Sequence, residues 1–505
     1  MASLLDQLWL GLTVSMTLQN ILLCTLGVSL GMVVGVLPGL GPAATLSLLL
    51  PVTFHLDLAG ALVMLSGVYY GAMYGGSITA ILVRIPGEAA SIVTCIDGYA
   101  MAKRGRAGAA LGLSAIGSFI AGIAATIGIV FLGPTVAKYA LKFTAVEYVG
   151  LVLTGLALAT LVTQMPPMRS ILMVALGLLL ATVGLDPIWG DGRYVFDNIA
   201  LYDGLNIAVL AMGLFGVAEV LIVAERSRKS SPHLEIDYSI SNLLPNRKEW
   251  SSGGPAVARG SILGFFLGVL PGGGTALASF GSYILERKIS RTPQEFGHGA
   301  PAGVAGPESA NNAASQSSFI PLLCLGIPSN LVMAIMMGAL LIQGVTPGPR
   351  LLTEHPDLFW GVIISMFIGN IILIFMNLPL ISLFVRLLKV PFSIMSPAII
   401  LFCMIGAYSL RSNVVDVVML VVAGAAGYIF RKLRLDPAPL VLSFVLGDIL
   451  EKSFRQALII GRGHLTIFIE RPLAAFFIAL AALLLLVQIK NAFTKPKTTE
   501  LPMAN

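Results

Sequence analysis

The chain has too little charge for a water-exposed surface: Asp, Glu, Lys and Arg make up 11% of its 505 residues, against roughly 25% in soluble domains. With 56% hydrophobic residues and a mean hydropathy of +0.90, a soluble globular enzyme is excluded. Cysteine is scarce: Cys24, Cys95, Cys324 and Cys403 stand apart with no CxxC pair, and read as small core residues. The five histidines are scattered and form no HExxH, which argues against a zinc or haem enzyme. No GxxxxGK[ST] is present, so no ATPase is built in, and no Ser–His pairing suggests a hydrolase. The excess of 31 basic over 25 acidic residues gathers into no nucleic-acid-binding patch. No Lys or Arg precedes Arg84. The N-terminus therefore lacks the basic region of a signal peptide and is expected to face outward.

What is present is long, continuous apolar sequence. At ~20 residues per crossing the length allows about ten to twelve helical crossings. Continuous runs of this kind do not fit the ~10-residue alternating strands of a membrane barrel. The expected fold is an all-α polytopic membrane protein.

Landmarks recur in order. Gly31-Met-Val-Val-Gly-Val-Leu-Pro38-Gly39-Leu-Gly41 returns as Gly264-Phe-Phe-Leu-Gly-Val-Leu-Pro271-Gly272-Gly273-Gly274. Ile85-Pro86 returns as Ile327-Pro328, and Leu185-Asp186-Pro187 as Leu435-Asp436-Pro437. Ordered landmarks with a slowly growing offset mark a duplication. Residues 1–224 form a first membrane repeat, 225–255 a polar cytoplasmic linker and 256–471 a second repeat. An added apolar helix (472–490) and a polar tail (491–505) follow. Equivalent loops carry opposite charge bias: Lys103-Arg104-Gly-Arg106 answers the region around Arg350, Glu354 and Asp357, and the Asp-rich 186–203 answers Arg431-Lys432-Leu-Arg434. Loops on opposite sides of the membrane imply inverted-topology repeats. Residues 451–471, net positive where this scheme places them outside, run against it.

Pro-Gly-x-Gly inside apolar sequence predicts broken helices, because Pro38 and Pro271 remove donors and the glycines ease departure from helical geometry. One helix should end near Leu37 and a short one begin at Pro42, a residue suited to a first turn. The freed NH groups suit a carboxylate and the freed carbonyls suit Na⁺. Gly39, Gly41, Gly272, Gly273 and Gly274 are thus candidates for substrate contact, and Pro38 and Pro271 mark candidate coupling-ion carbonyls. A second pair of breaks follows at Ile85-Pro86 and Ile327-Pro328. Around it lie Ser77, Thr79, Arg84 and Glu88 in the first copy, and Glu308, Asn311, Asn312, Ser315, Ser329 and Asn330 in the second. The neutral polar side chains and Arg84 are substrate candidates; Ser77, Thr79, Glu88 and Glu308 are coupling-ion candidates. For each there is an ordinary structural reading: Arg84 as a snorkelling anchor, the glutamates as helix-start charges, and Tyr69, Tyr70 and Tyr74 as packing or an interfacial belt.

With Gly35-Val-Leu-Pro-Gly-Leu-Gly-Pro42, Gly268-Val-Leu-Pro-Gly-Gly-Gly274 and Gly306-Pro-Glu-Ser-Ala-Asn-Asn-Ala-Ala-Ser315 in view, the chain resembles TctA, the large membrane subunit of bacterial tripartite tricarboxylate transporters. The likeness runs over about residues 15 to 470. It implies a multi-pass permease of the bacterial inner membrane that takes up citrate-like carboxylates, with Na⁺ or H⁺ as coupling ion and no other cofactor. It also implies two partners, a small TctB-like membrane subunit and a TctC-like periplasmic solute-binding protein, within the lipid bilayer and with no nucleic acid. A passive pore for small organic anions is the alternative reading.

Overall fold

A computed structural model describes residues 3–37, 41–53, 55–162, 165–186, 189–225, 240–270, 274–386 and 392–493. The chain opens with α1 (Leu4–Ser15), α2 (Leu18–Val36), α3 (Pro42–Thr53) and α4 (Leu58–Val83). A 3₁₀ turn (Ala89–Ile92) leads to α5 (Thr94–Met101), α6 (Ala107–Ala140), α7 (Ala145–Val162) and α8 (Pro167–Ala181). A two-residue antiparallel hairpin, β1 (Gly184–Leu185) with β2 (Gly192–Arg193), is followed by α9 (Ile207–Ala211), α10 (Ala218–Glu225) and α11 (Ile240–Leu243). Next come α12 (Arg247–Val269), α13 (Gly274–Ile289), α14 (Ala302–Ser317), α15 (Leu331–Ile342), α16 (Leu351–Glu354), α17 (Pro356–Asn377) and α18 (Ile381–Arg386). The last are α19 (Phe392–Arg411), α20 (Val414–Lys432), α21 (Ala438–Ile460), α22 (Ile467–Glu470) and α23 (Pro472–Phe493).

This is an all-α polytopic membrane architecture. Among the described residues seven helices are long and apolar enough to cross a bilayer: 18–36, 58–83, 94–140, 207–225, 356–377, 414–432 and 472–490. Five further apolar helices are shorter, α3 and α15 with 12 residues each among them. Outside these seven stand helices cut short at chain breaks, such as α3 and α15, and helices of full length but more polar sequence, α12 and α21 with 23 residues each. The polar linker is partly helix: Asn246 caps α12 by accepting from Glu249 N at 2.9 Å, so residues 247–255 are its first turns. The added apolar helix is α23, packed on α7, where Thr154 Oγ1 donates to the Phe477 carbonyl at 2.8 Å.

Two helix pairs form the centre by one device. Gly27, Gly31 and Gly35 on α2 lie against the carbonyls of Met64, Val68 and Ala72 on α4. Gly260, Gly264 and Gly268 on α12 lie against those of Gly306, Ala310 and Ala314 on α14. A Cβ at any of the six would sit inside 3.0 Å of backbone. Small residues every fourth position let helix backbones meet where lipid offers no hydrophobic drive to association. The shift that carries Pro38 onto Pro271 carries the α2 glycines onto those of α12, and the shift from Pro86 to Pro328 carries their α4 partners onto those of α14.

Both α4 and the π-turn after α14 end alike. Arg84 (φ 56°, ψ 30°) and Gly326 (φ 69°, ψ 28°) are left-handed caps at corresponding positions of the two copies. The next amides, Ile85 N and Ile327 N, turn back to the carbonyls of Thr79 and Pro321. This six-to-one closure ends a helix and lets the chain reverse. Then come Pro86 and Pro328, and then two extended caps, Glu88 (φ −150°, ψ 171°) and Asn330 (φ −154°, ψ 176°).

Candidate functional site

Every residue of α14 is buried, although the helix carries Glu308, Ser309, Asn311, Asn312, Ser315, Gln316 and Ser317. A helix this polar survives in an apolar surround only as the inner helix of a bundle, with its groups bonded across to neighbours. Its neighbours are α4, α5, α6, α12 and α13.

Glu308 is fully buried, and its carboxylate accepts from Ser77 Oγ of α4 and Thr94 Oγ1 of α5, with Ser114 of α6 as a third hydroxyl partner. Three helices thus meet on one carboxylate through neutral donors. One turn on, Asn312 Nδ2 donates to Ser118 Oγ at 2.7 Å and to the Glu308 carbonyl at 3.1 Å. Asn311 Nδ2 donates to Glu88 Oε1 at 3.2 Å, and Glu88 Oε2 accepts from Ala90 N at 3.0 Å. At the other end Asn330 Nδ2 donates to Tyr69 OH at 3.2 Å and to Ser318 Oγ at 3.1 Å, while its Oδ1 caps Met333 N at 3.0 Å. Tyr69 OH also bonds Ser318 and Thr275. Tyr69 of α4 therefore meets Ser318, just past the end of α14, while Ser77 near the end of α4 meets Glu308 near the start of α14. The two helices run antiparallel.

The two termini of this band are open. Glu88 and Asn330 are partly exposed, whereas Asn311, Ser318 and Ser329 behind them are buried. Gly274 opens α13 in a left-handed conformation (φ 63°), and a Cβ there would stand 3.8 Å from Asn330 Cβ, so the 270–274 break adjoins the 326–330 break. Arg84 is exposed, with its guanidinium 6.0 Å from the centre of the Tyr99 ring.

Other sequence candidates fall elsewhere. Pro38, Gly39, Pro271, Gly272 and Gly273 lie outside the described residues; the flanking helix ends at Val36 and Val269 and restarts at Pro42 and Gly274 are seen. Gly41 precedes α3 with nothing within 4 Å of a Cβ. Thr79 Oγ1 bonds its own helix at Gly76 O (3.1 Å) and Ser315 Oγ bonds Asn312 O (2.8 Å), so neither reaches across to another helix. Ser329 Oγ donates to Ser318 O at 3.4 Å. The three tyrosines are interior, not a belt: Tyr70 OH lies 3.9 Å from Cys24 Sγ and Tyr74 OH bonds Asn370 Oδ1 at 3.4 Å.

The structure adds Thr94, Ser114, Ser118 and Ser318 to the polar band, and Asp97. Asp97 Oδ1 accepts from Gly297 N, Gly299 N and Ala300 N at 2.9, 2.7 and 2.9 Å, and Oδ2 from Tyr283 OH at 2.9 Å. It ties α5 to the turn that feeds α14. Ser114 and Ser118 stand four apart on α6, a spacing that puts both on one face and was the available signal. Among the described residues no cluster of three or more His, Cys, Asp or Glu forms.

A many-helix membrane protein with a buried band of hydroxyls, amides and two carboxylates at its centre fits the class of membrane transporters. Residues 21–442 match the tripartite tricarboxylate transporter TctA family, and the chain belongs to it. It is 48% identical over 480 residues to an uncharacterised 52.8 kDa protein from the TAR-I ttuC′ 3′ region of Agrobacterium vitis, covering 95% of each chain. It is 54% identical over 217 residues to an uncharacterised protein from the TAR-II ttuC′ 3′ region of the same organism, covering 43% of this chain and 90% of that one. No solved structure matches.

Proposed function

We propose that this chain is the large permease subunit of a binding-protein-dependent secondary transporter in the bacterial inner membrane. It imports citrate-like tricarboxylates or related carboxylates on a Na⁺ or H⁺ gradient. Its partners are a small TctB-like membrane subunit and a TctC-like periplasmic binding protein. The observation that carries this reading is α14, a fully buried polar helix that meets Glu88 at Asn311 in its middle and Asn330 at Ser318 just past its last turn. In this reading the substrate carboxylates meet the amides and hydroxyls of Asn330, Ser318 and Ser329 and the NH groups after Gly41 and at Gly274, with Arg84 offsetting charge at the exposed edge.

The copies are inverted in this proposal, with discontinuous helices meeting inside the bilayer. One fact supports the repetition and a second its inversion. The shift that carries Pro86 onto Pro328 carries the whole Arg84–Glu88 turn onto Gly326–Asn330 with nearly equal dihedral angles at both ends. The corresponding helices α4 and α14 run antiparallel, as copies related by a twofold axis in the membrane plane must.

Uptake of radiolabelled citrate and other carboxylates into proteoliposomes tests the reading, with chain and small subunit together and the binding protein added or omitted. Uptake that requires the binding protein and one imposed gradient is expected. Flux that persists without either would replace the secondary transporter by a passive pore.

A further inference from the structure

The Asn311–Glu88 and Asn330–Tyr69 contacts cross between the copies at corresponding positions, since the shift from Pro86 to Pro328 carries Tyr69 onto Asn311 and Glu88 onto Asn330. The Asp97 contact crosses too, but its chemistry is not repeated. Asp97 belongs to α5 of the first copy, and its four hydrogen bonds come from Tyr283 OH and the amides of Gly297, Gly299 and Ala300 in the second. Gly297 (φ 92°) and Gly299 (φ 100°) hold conformations that turn three amides onto one carboxylate oxygen. All four groups donate, so Asp97 acts only as an acceptor, as an ionised carboxylate does. The same shift carries Asp97 onto Ala339 of α15, and the shift from Pro38 to Pro271 carries Leu50 of α3 onto Tyr283 of α13. α15 packs against α3 as the corresponding contact, yet Ala339 and Leu50 carry no side-chain donor or acceptor. A neutral hydrogen bond stands there instead, from Gln343 Nε2 to the Thr53 carbonyl at 3.1 Å. Bonds to an ionised group are roughly twice as strong as neutral ones. One end of the molecule is therefore fastened more firmly than the other.

The firmer end is the one that carries Arg106 and the polar linker: a Cβ at Gly299 would stand 3.3 Å from Met101 N, and Arg106 pairs with Glu249. α5 lies between that end and the polar band, with Thr94 on Glu308 and Asp97 one turn nearer the surface. Beside it Val93 packs with Tyr283, Phe296, Ala300 and Ala302 in a small apolar cluster separate from the main core. The 3₁₀ turn precedes α5, and a π-turn with left-handed Gly105 (φ 76°) follows it. A short helix jointed at both ends, held by one carboxylate and a small cluster, can open while the main core stays packed.

We propose that Asp97 is the latch of a gate at the cytoplasmic end of the polar band, and that the α3–α15 contact is its weaker counterpart at the periplasmic end. This rests on the transporter reading and adds a resting state to it: the unloaded protein favours closure toward the cytoplasm. In inverted copies the opening of one end accompanies the closing of the other, so the unequal fastening sets the balance between the two states.

The test is side-specific labelling of membrane vesicles that contain the full chain and its small subunit, with the four native cysteines replaced. Val93→Cys reports on the cytoplasmic end, and Ile335→Cys, at the position onto which the same shift carries Val93, reports on the periplasmic end; both sites are buried. A membrane-impermeant maleimide is applied to inside-out vesicles for the first and to right-side-out vesicles for the second. A Cβ at Gly303 would stand 2.3 Å from Asp97 Oδ2, so Gly303→Val displaces the latch from the other copy. Asp97→Ala and Gly303→Val should each speed labelling of Val93→Cys tenfold or more without speeding that of Ile335→Cys. Formate supplies the carboxylate missing from Asp97→Ala and should return its rate to within threefold of the unaltered protein, whereas formamide should not. That rescue separates a lost latch from a folding defect. Unchanged labelling of Val93→Cys in both variants, faster labelling at both ends, or no effect of formate would overturn the latch. Carboxylate uptake is measured on the same preparations. Its absence in the unaltered chain, with both reporters behaving as expected, would uphold the latch and sink the transporter reading.

Discussion

Arg84 and Gly326 occupy the same turn and meet different demands. Gly326 has no room for a side chain, since a Cβ would lie 2.5 Å from the Pro347 carbonyl oxygen. Arg84 accepts the strain of a left-handed residue, about 1–2 kcal/mol, and keeps a guanidinium at the exposed edge. Arg84→Gly releases that strain and loses the Tyr99 contact, worth about 0.5–1 kcal/mol when exposed. The thermal midpoint should therefore hold while carboxylate uptake falls. At Glu308 the outcome is the reverse. Glu308→Ala strands the hydroxyl of Thr94, while Ser77 keeps its bond to the Met73 carbonyl at 3.2 Å, and should cost about 1–3 kcal/mol, read as a lower unfolding midpoint in detergent. At the start of α12, burial raises the Glu249 carboxyl, but Arg106 (2.7 and 2.8 Å) and the Asn246 amide lower it by more. A carboxyl more acidic folded than unfolded adds stability above its unfolded value, about 4.3, and loses it as pH falls through the folded value. Arg106→Gln should lower the midpoint at pH 7, by under about 1 kcal/mol for so exposed an arginine, and should converge with the unaltered protein near pH ~3. Asn311, Asn312 and Glu308 were legible because amides and acids have no place in lipid-facing sequence. Ser114 and Ser118 were not, because hydroxyls can bond their own helix and only the approach of α14 draws these two into the band.

The helix ends were readable wherever chemistry forces them. Pro38 and Pro271 lie just past the last turns of α2 and α12, and Pro42 opens α3. The glycine ladders were present as Gly27, Gly31, Gly35 and Gly260, Gly264, Gly268, but a period of four names a face without naming its partner. The partner follows from α4 and α14 supplying the matching carbonyls. Gly264→Val should cost about 1–3 kcal/mol through overpacking against Ala310, measured as a lower thermal midpoint. Gly41→Ala, with open space around a Cβ, should leave the midpoint unchanged.

At the scale of the molecule, the spacing between repeated landmarks in the sequence is also the spacing between the two packed helix pairs, so the duplication was legible before its geometry. Orientation in the membrane rests on loop charge alone. In a protein with Cys24, Cys95, Cys324 and Cys403 replaced, a membrane-impermeant maleimide should label Glu354→Cys and Asp191→Cys from the periplasm. Gly105→Cys and Arg434→Cys should react only from the cytoplasmic side. Labelling of Gly105→Cys and Glu354→Cys from one side would make the copies parallel.

The crossed contacts at Glu88 and Asn330 bear on how the protein is made. The first copy leaves the ribosome with Glu88 in place, but Asn311 arrives only with the second copy, and Asp97 waits equally for Gly297, Gly299 and Ala300. The first half must therefore remain in the membrane unfinished until its counterpart is synthesised. Neither half can mature early, and the final packing step closes both at once.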